Sequence, residues 1–194
     1  MTRLLLIAVL CLISLSLFAQ DTHKIDVFGG YQYLHSNTFV GDAGSLNASG
    51  WNAAAAFNFS KHLGVAADFS GNYQSANFKL SSEVASFPAK VRIYTYTFGP
   101  VFSVKPKDSL KIFAHALFGG AHLSPTGCVV FSGSPDECGS GTFGGFTTMF
   151  GGGLDAGSAG TAFRVVQFDW VYLPADQGGH HSSFRLSTGL VFRF

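Results

Sequence analysis

From Lys24 onward, apolar and polar residues alternate with a period of two, the spacing of a strand whose successive side chains point to opposite faces. Ile25, Val27, Tyr31 and Tyr33 share one parity, against Asp26, Phe28, Gly30 and Gln32 on the other. Trp51, Ala53, Ala55, Phe57 and Phe59 then oppose Asn52, Ala54, Ala56 and Asn58. A third run sets Leu63, Val65, Ala67, Phe69 and Tyr73 against Gly64, Ala66, Asp68, Ser70 and Asn72. A fourth sets Tyr94, Tyr96, Phe98, Pro100 and Phe102 against Thr95, Thr97, Gly99 and Ser103. Each run has a face of large apolar groups and a face of small or polar ones.

The second half repeats this rule less cleanly. Between Ile112 and Leu123, Phe113 and Leu117 share a parity with His115, and the apolar face is assigned to Ile112, Ala114, Ala116 and Phe118. The glycine-rich run from Phe143 to Ala156 places Phe146, Thr148, Phe150, Gly152 and Leu154 together. In the next, Val166, Phe168, Trp170 and Tyr172 oppose Val165, Gln167 and Asp169. The last ten residues, RLSTGLVFRF, put Leu186, Leu190, Phe192 and Phe194 on one face, with Arg185, Ser187, Gly189, Val191 and Arg193 on the other. The pattern predicts eight strands.

The connections between runs alternate in length. Short ones lie around 60–62, 105–109 and 157–161, and long ones span about 36–48, 75–89, 124–142 and 174–182. In an up-and-down antiparallel sheet every second connection lies at the same end, so one end carries tight turns and both termini while the other carries four long loops. Transmembrane β-barrels have this asymmetry.

Composition strengthens that reading. The 194 residues are 47% hydrophobic and only 12% charged, with 21 Phe and 24 Gly; soluble domains carry about 25% charge. The start explains part of the excess: Met1-Thr2-Arg3 is basic, Leu4 to Phe18 is apolar, and Ala19 offers a cleavage site, the anatomy of a secretory signal peptide over residues 1–19. The run is shorter than the ~20 residues of a spanning helix. Residues 20–194 then form one domain with 11 basic and 11 acidic side chains, too balanced to attract nucleic acid. Its two cysteines, Cys128 and Cys138, close a short loop and are expected to form a disulfide in an oxidising compartment. No cofactor or metal is implied.

Alternation alone does not say which face is outside. A lipocalin-like soluble carrier would turn its large apolar side chains inward around a ligand. The opposite face here, with Asn52, Asn58, Asp68, Asn72, Gln167 and Asp169 among many small residues, suits a cramped polar interior better than a solvated exterior. Aromatics near the run ends, such as Trp51, Trp170 and Tyr172, fit interfacial girdles.

From VFGGYQYL (27–34) through YTFGPVF (96–102) to the terminal STGLVFRF, the chain resembles the small eight-stranded outer-membrane β-barrel family, which includes the OmpA barrel domain and OmpX. The resemblance implies an all-β, up-and-down transmembrane barrel in the bacterial outer membrane, a monomer contacting outer-membrane lipids. It also implies that Leu186, Leu190, Phe192 and Phe194 form the signal read by the β-barrel assembly machinery. Peptidoglycan binding, the task of a separate domain in OmpA, is not implied. An eight-stranded lumen is filled by its own side chains, so a plugged interior is expected. Strand order suggests the pairs Asp26–Arg193 and Asp169–Arg185 within it. Function then falls to a structural role or to an extracellular ligand held by the long loops. The competing enzyme reading rests on His181-x-Ser183, similar to the His-x-Ser spacing of barrel lipid A deacylases; no Asp or Glu follows Asp176 to orient the histidine.

Overall fold

A computed structural model describes residues 24–36, 46–79, 86–129, 137–158, 160–174 and 180–194. The signal peptide expected at 1–19 lies outside the described residues. Nine strands follow in chain order: β1 (Ile25–Ser36), β2 (Leu46–Asn58), β3 (Leu63–Lys79), β4 (Ser86–Lys107), β5 (Leu110–Val129), β6 (Glu137–Ser140), β7 (Phe143–Gly157), β8 (Thr161–Pro174) and β9 (His180–Arg193). Eight of them form an antiparallel barrel, each paired with its chain neighbours, β5 with β7 and β1 with β9. β6 is an addition to the eight expected runs: it pairs only with the top of β5, where the sequence suggests loop.

Closure is explicit in the register. Starting at Asn58, successive partners are Gly64, Val101, His115, Gly151, Asp169, Arg185, Leu34 and Ala48. The circuit thus returns to β2 ten residues from where it left, and this stagger sets the strand tilt. Because the stagger is even, an inward residue meets inward residues all the way round; an odd one would set polar against apolar faces at the seam. The seam itself runs from Asp26 opposite Arg193 to Ser36 opposite Ser183, and it is extended by Phe194 N–H donating to the Ile25 carbonyl at 2.8 Å.

Burial is inverted relative to a soluble barrel. Phe98 is 59% exposed while Asp169 is 0% exposed, and the same inversion holds on each barrel strand. Phe28 and Phe113 are inward exceptions. This orientation rules out the lipocalin-like arrangement. The outward aromatics are also graded. All six tyrosines and both tryptophans (Tyr31, Tyr33, Tyr73, Tyr94, Tyr96, Tyr172, Trp51 and Trp170) lie in the half toward the long loops. The turn-end belt is made of phenylalanines such as Phe57, Phe102, Phe163 and Phe192. Residues with a polar tip favour a wet interface, so the two rims differ in chemistry.

Two expectations need correction. The inward face is not uniformly small or polar: Leu34, Leu46, Ile93, Leu123, Val171 and Leu173 are buried together at the loop end. A narrow lumen must be filled to packing density, and large aliphatic groups do that where no charge needs a partner. Val165 was also expected on the inward face with Gln167. The structure places Val165 and Val166 both outward, because the register slips between Arg164 and Gln167 against β9 and between Leu154 and Asp155 against β8. This bulge reverses the parity below it and turns Arg164, which would otherwise face outward, into the lumen.

Phe98 sits midway along the outward belt of β4, between Tyr94 and Phe102. A Phe98→Lys variant is expected to lose about 2–4 kcal/mol in urea unfolding from lipid vesicles, the cost of a cation at mid-membrane depth. In a water-facing position the same change would cost under about 0.5 kcal/mol.

Candidate functional site

The chemistry-bearing side chains converge in the lumen. Among the described residues, the buried charged groups are four aspartates (Asp26, Asp68, Asp155 and Asp169) and four cations (Lys111, Arg164, Arg185 and Arg193), so the interior is neutral before His115 is considered. All but Arg164 reach the lumen because they stand on the inward parity of their strands, and the bulge in β8 brings Arg164 there. They form two layers.

At mid-height, Arg185 on β9 holds two carboxylates from different walls. Its Nη1 and Nη2 donate to both oxygens of Asp68 on β3 at 2.8 and 3.1 Å, and its Nε donates to Asp169 on β8 at 2.8 Å. Asn52 donates to Asp68 at 2.9 Å, Gln167 donates to Asp169 at 2.7 Å, and His115 Nε2 lies 2.8 Å from Asp169 Oδ1. Gly151 is required beside this cluster: a Cβ there would stand 2.1 Å from Asp169 Oδ1. Arg185 is 1% exposed. Removing such a charge from water costs several kcal/mol, which only a saturated set of partners offsets.

At the turn end, Lys111 Nζ on β5 reaches Asp26 on β1 at 2.5 Å, and Asn58 donates to the same carboxylate oxygen at 3.2 Å. Arg164 donates from Nε to Asp155 at 2.8 Å and from Nη1 to Gln167 at 2.6 Å. Its guanidinium lies between the rings of Phe28 and Phe113, 4.2 and 4.3 Å from their centroids. Those two inward phenylalanines therefore serve as cation–π partners. A cavity of about 40 Å³, room for a few waters, separates the layers along Ala54, Ala56 and Ala66. Beyond the central layer the aliphatic cluster around Leu34, Ile93 and Leu173 fills the loop end.

The two pairs suggested by strand order fare differently. Asp169 and Arg185 are in direct contact. Asp26 and Arg193 are opposite each other in the register, yet Arg193 Nε is 4.0 Å from Asp26 and its Nη2 is 3.6 Å from Asp155. The long side chain runs past its neighbour, donates to the Ser158 carbonyl at 3.4 Å, and leaves Lys111 as the near partner of Asp26. The roles of Asp68, Asp155, Lys111 and Arg164 were not legible beforehand. An arginine on the apolar parity of a strand was the one available signal for Arg164, since such a residue is tolerable in that setting only if the strand slips by one.

Outside the lumen, Leu186, Leu190, Phe192 and Phe194 all face outward, as a lipid-facing terminal strand requires. The backbone register sets Cys128 opposite Cys138 where β6 joins β5. Ser183 is fully buried inside the barrel, away from its outward face.

Arg185→Ala would strand Asp68 and Asp169 and is expected to cost about 3–5 kcal/mol in urea unfolding followed by tryptophan fluorescence. The triple variant Arg185→Met, Asp68→Asn, Asp169→Asn should recover most of that loss, because no buried charge of this cluster is then left unpaired.

Comparison with known proteins places this geometry. No protein-family model matches the chain, and no curated protein sequence does. Among solved structures it is similar to Ail, the attachment invasion locus protein of Yersinia pestis, at TM-score 0.59 and 18% identity over 90% of this chain and 100% of that one. It is also similar to Neisserial surface protein A at TM-score 0.52 and 13% identity, over 90% and 100% of the two chains. The N-terminal β-barrel domain of Pseudomonas aeruginosa OprF matches at TM-score 0.51 and 12% identity, with the same coverage. The chain has the fold of the small eight-stranded outer-membrane β-barrels.

Proposed function

We propose that this protein is an integral barrel of the bacterial outer membrane whose lumen is plugged and whose work is structural or done by its outer loops. The observation that carries the reading is the inverted burial: a closed sheet with aromatic rows outside and charges of both signs, balanced four against four, inside. Only hydrocarbon makes that distribution favourable, because it rewards apolar exteriors and penalises any open sheet edge. The rim that holds the tyrosines and tryptophans then faces the cell exterior, and the phenylalanine-rich rim with the turns faces the periplasm.

The lumen does not support diffusion. Arg185 ties β9 to β3 and β8 across the middle, and the aliphatic cluster seals the outer end. The buried, inward Ser183 speaks against the lipid-deacylase reading.

The outer rim is uneven, which favours surface interaction. β3 and β4 stay paired up to Lys79 and Ser86, well beyond Tyr73, the last β3 residue that pairs with β2. β5 continues to Val129 with β6 alongside. This wall stands above β1, β2, β8 and β9 and presents two strand edges, a surface suited to an extracellular ligand. A Cys128–Cys138 disulfide would clamp the β5–β6 part of it. Leu186, Leu190, Phe192 and Phe194 would serve as the signal for the β-barrel assembly machinery, and the barrel would work as a monomer.

In cells the protein is expected in the outer-membrane fraction, with detergent-extracted material migrating faster unheated than boiled. Planar bilayers should show no large steady conductance; a stable open channel or a detergent-independent soluble protein would overturn the reading.

A further inference from the structure

The outward face of β4 is graded along its length. From the loop end it presents Lys90, Arg92, Tyr94, Tyr96, Phe98, Pro100 and Phe102, all exposed, so one strand passes from cation through aromatic hydroxyl to pure hydrocarbon. Its neighbours extend the gradient sideways. Tyr73 on β3 is in register with Arg92, and its hydroxyl lies 3.2 Å from that of Tyr94; His122 on β5 is in register with Tyr94. Phe118 stands opposite Phe98 lower down.

This column is unlike the rest of the barrel. Among the residues whose exposure the structure describes, Lys90 and Arg92 are the lysine and arginine on the outward face of the loop half, and no carboxylate shares that face; Lys79, opposite Ser86 at the loop end of β3, is a further cation of this half. The other exposed lysines, Lys24, Lys61, Lys105 and Lys107, lie at the turn end. Two adjacent cations above a hydroxyl layer and an apolar track complement one kind of amphiphile: a phosphate at the top, sugar hydroxyls below it, and acyl chains beneath.

We infer that the outward face of β4, flanked by Tyr73, His122 and Phe118, is a binding site for a phosphorylated, acylated glycolipid of the outer leaflet. Lys90 and Arg92 take the phosphate, the latter able to do so with two parallel N–H donors. Tyr73, Tyr94 and His122 lie at sugar depth, and Phe98, Phe102 and Phe118 take the acyl chains. The inference rests on the outer-membrane reading above.

The test uses the full mature barrel in nanodiscs, with phosphorylated lipid A, enzymatically dephosphorylated lipid A and phosphatidylglycerol as probes, and native mass spectrometry to count retained lipid. The wild type should retain phosphorylated lipid A at least about tenfold better than the dephosphorylated form, on the strength of two basic side chains near the headgroup, and better than phosphatidylglycerol, which has a phosphate but no sugar for the hydroxyl layer. Lys90→Gln with Arg92→Gln should abolish that preference, while Lys105→Gln with Lys107→Gln at the other rim should keep it. Equal retention of the three lipids by the wild type, which needs no variant to fold, overturns the site. So does an unchanged preference in the Lys90/Arg92 variant that still shows the heat-dependent gel shift. Failure of the membrane reading would look different: the wild type itself would show no gel shift and need no detergent.

Discussion

The backbone of a sheet placed in hydrocarbon has nowhere to send an unpaired N–H or C=O, and each one left open costs several kcal/mol. Closure of β1 against β9 is the answer to that constraint, and the rest of the molecule follows from it. The ten-residue stagger of the circuit keeps every inward position facing inward across the seam. Given that, hydrophobic alternation no longer marks a core and a solvent face but an oil face and an enclosed face. The bulge in β8 is a local departure that turns Arg164 inward, and a second register shift lies at the turn end of β4, between Val104 and Lys107.

Enclosure imposes a second condition. A lumen of eight strands is too narrow to hydrate isolated charges freely, so the buried charged groups must balance and bond one another. Four aspartates and four cations do this in two layers, with Arg185 joining three strands and Arg164 held between two rings. The network ties together strands that are not neighbours in the sheet. It makes the barrel a stiff stalk, and the segments that can vary without disturbing it are those beyond the rim, where β3, β4, β5 and β6 rise above the other strands.

The two rims carry different chemistries for a related reason. A residue with an apolar body and a polar tip is stable where hydrocarbon meets water, and the tip can be a hydroxyl, an indole or an ammonium. Here tyrosine and tryptophan take the loop-end interface, while phenylalanine below and lysine beyond it take the other. The two ends of the barrel are thereby chemically distinct, and β4 combines a cationic rim with an apolar, mostly aromatic track.

Much of this was legible in the amino-acid order alone. Period-two alternation determined the strands, alternate connection lengths determined the up-and-down topology, and scarce charge with Asn52, Asp68 and Asp169 on the minor face determined which side is outside. These are local or additive properties, readable because side-chain direction in a strand depends only on parity. The contact of Asp169 with Arg185 was also within reach, since adjacent strands bring such residues together. What the tertiary structure decided are the contacts across the lumen and the slip of one residue. Arg185 finds Asp68 and Lys111 finds Asp26 only because closure bends distant strands to face each other. Val165 and Arg164 change faces because two register shifts, set by both neighbours of β8, override the parity of its own sequence.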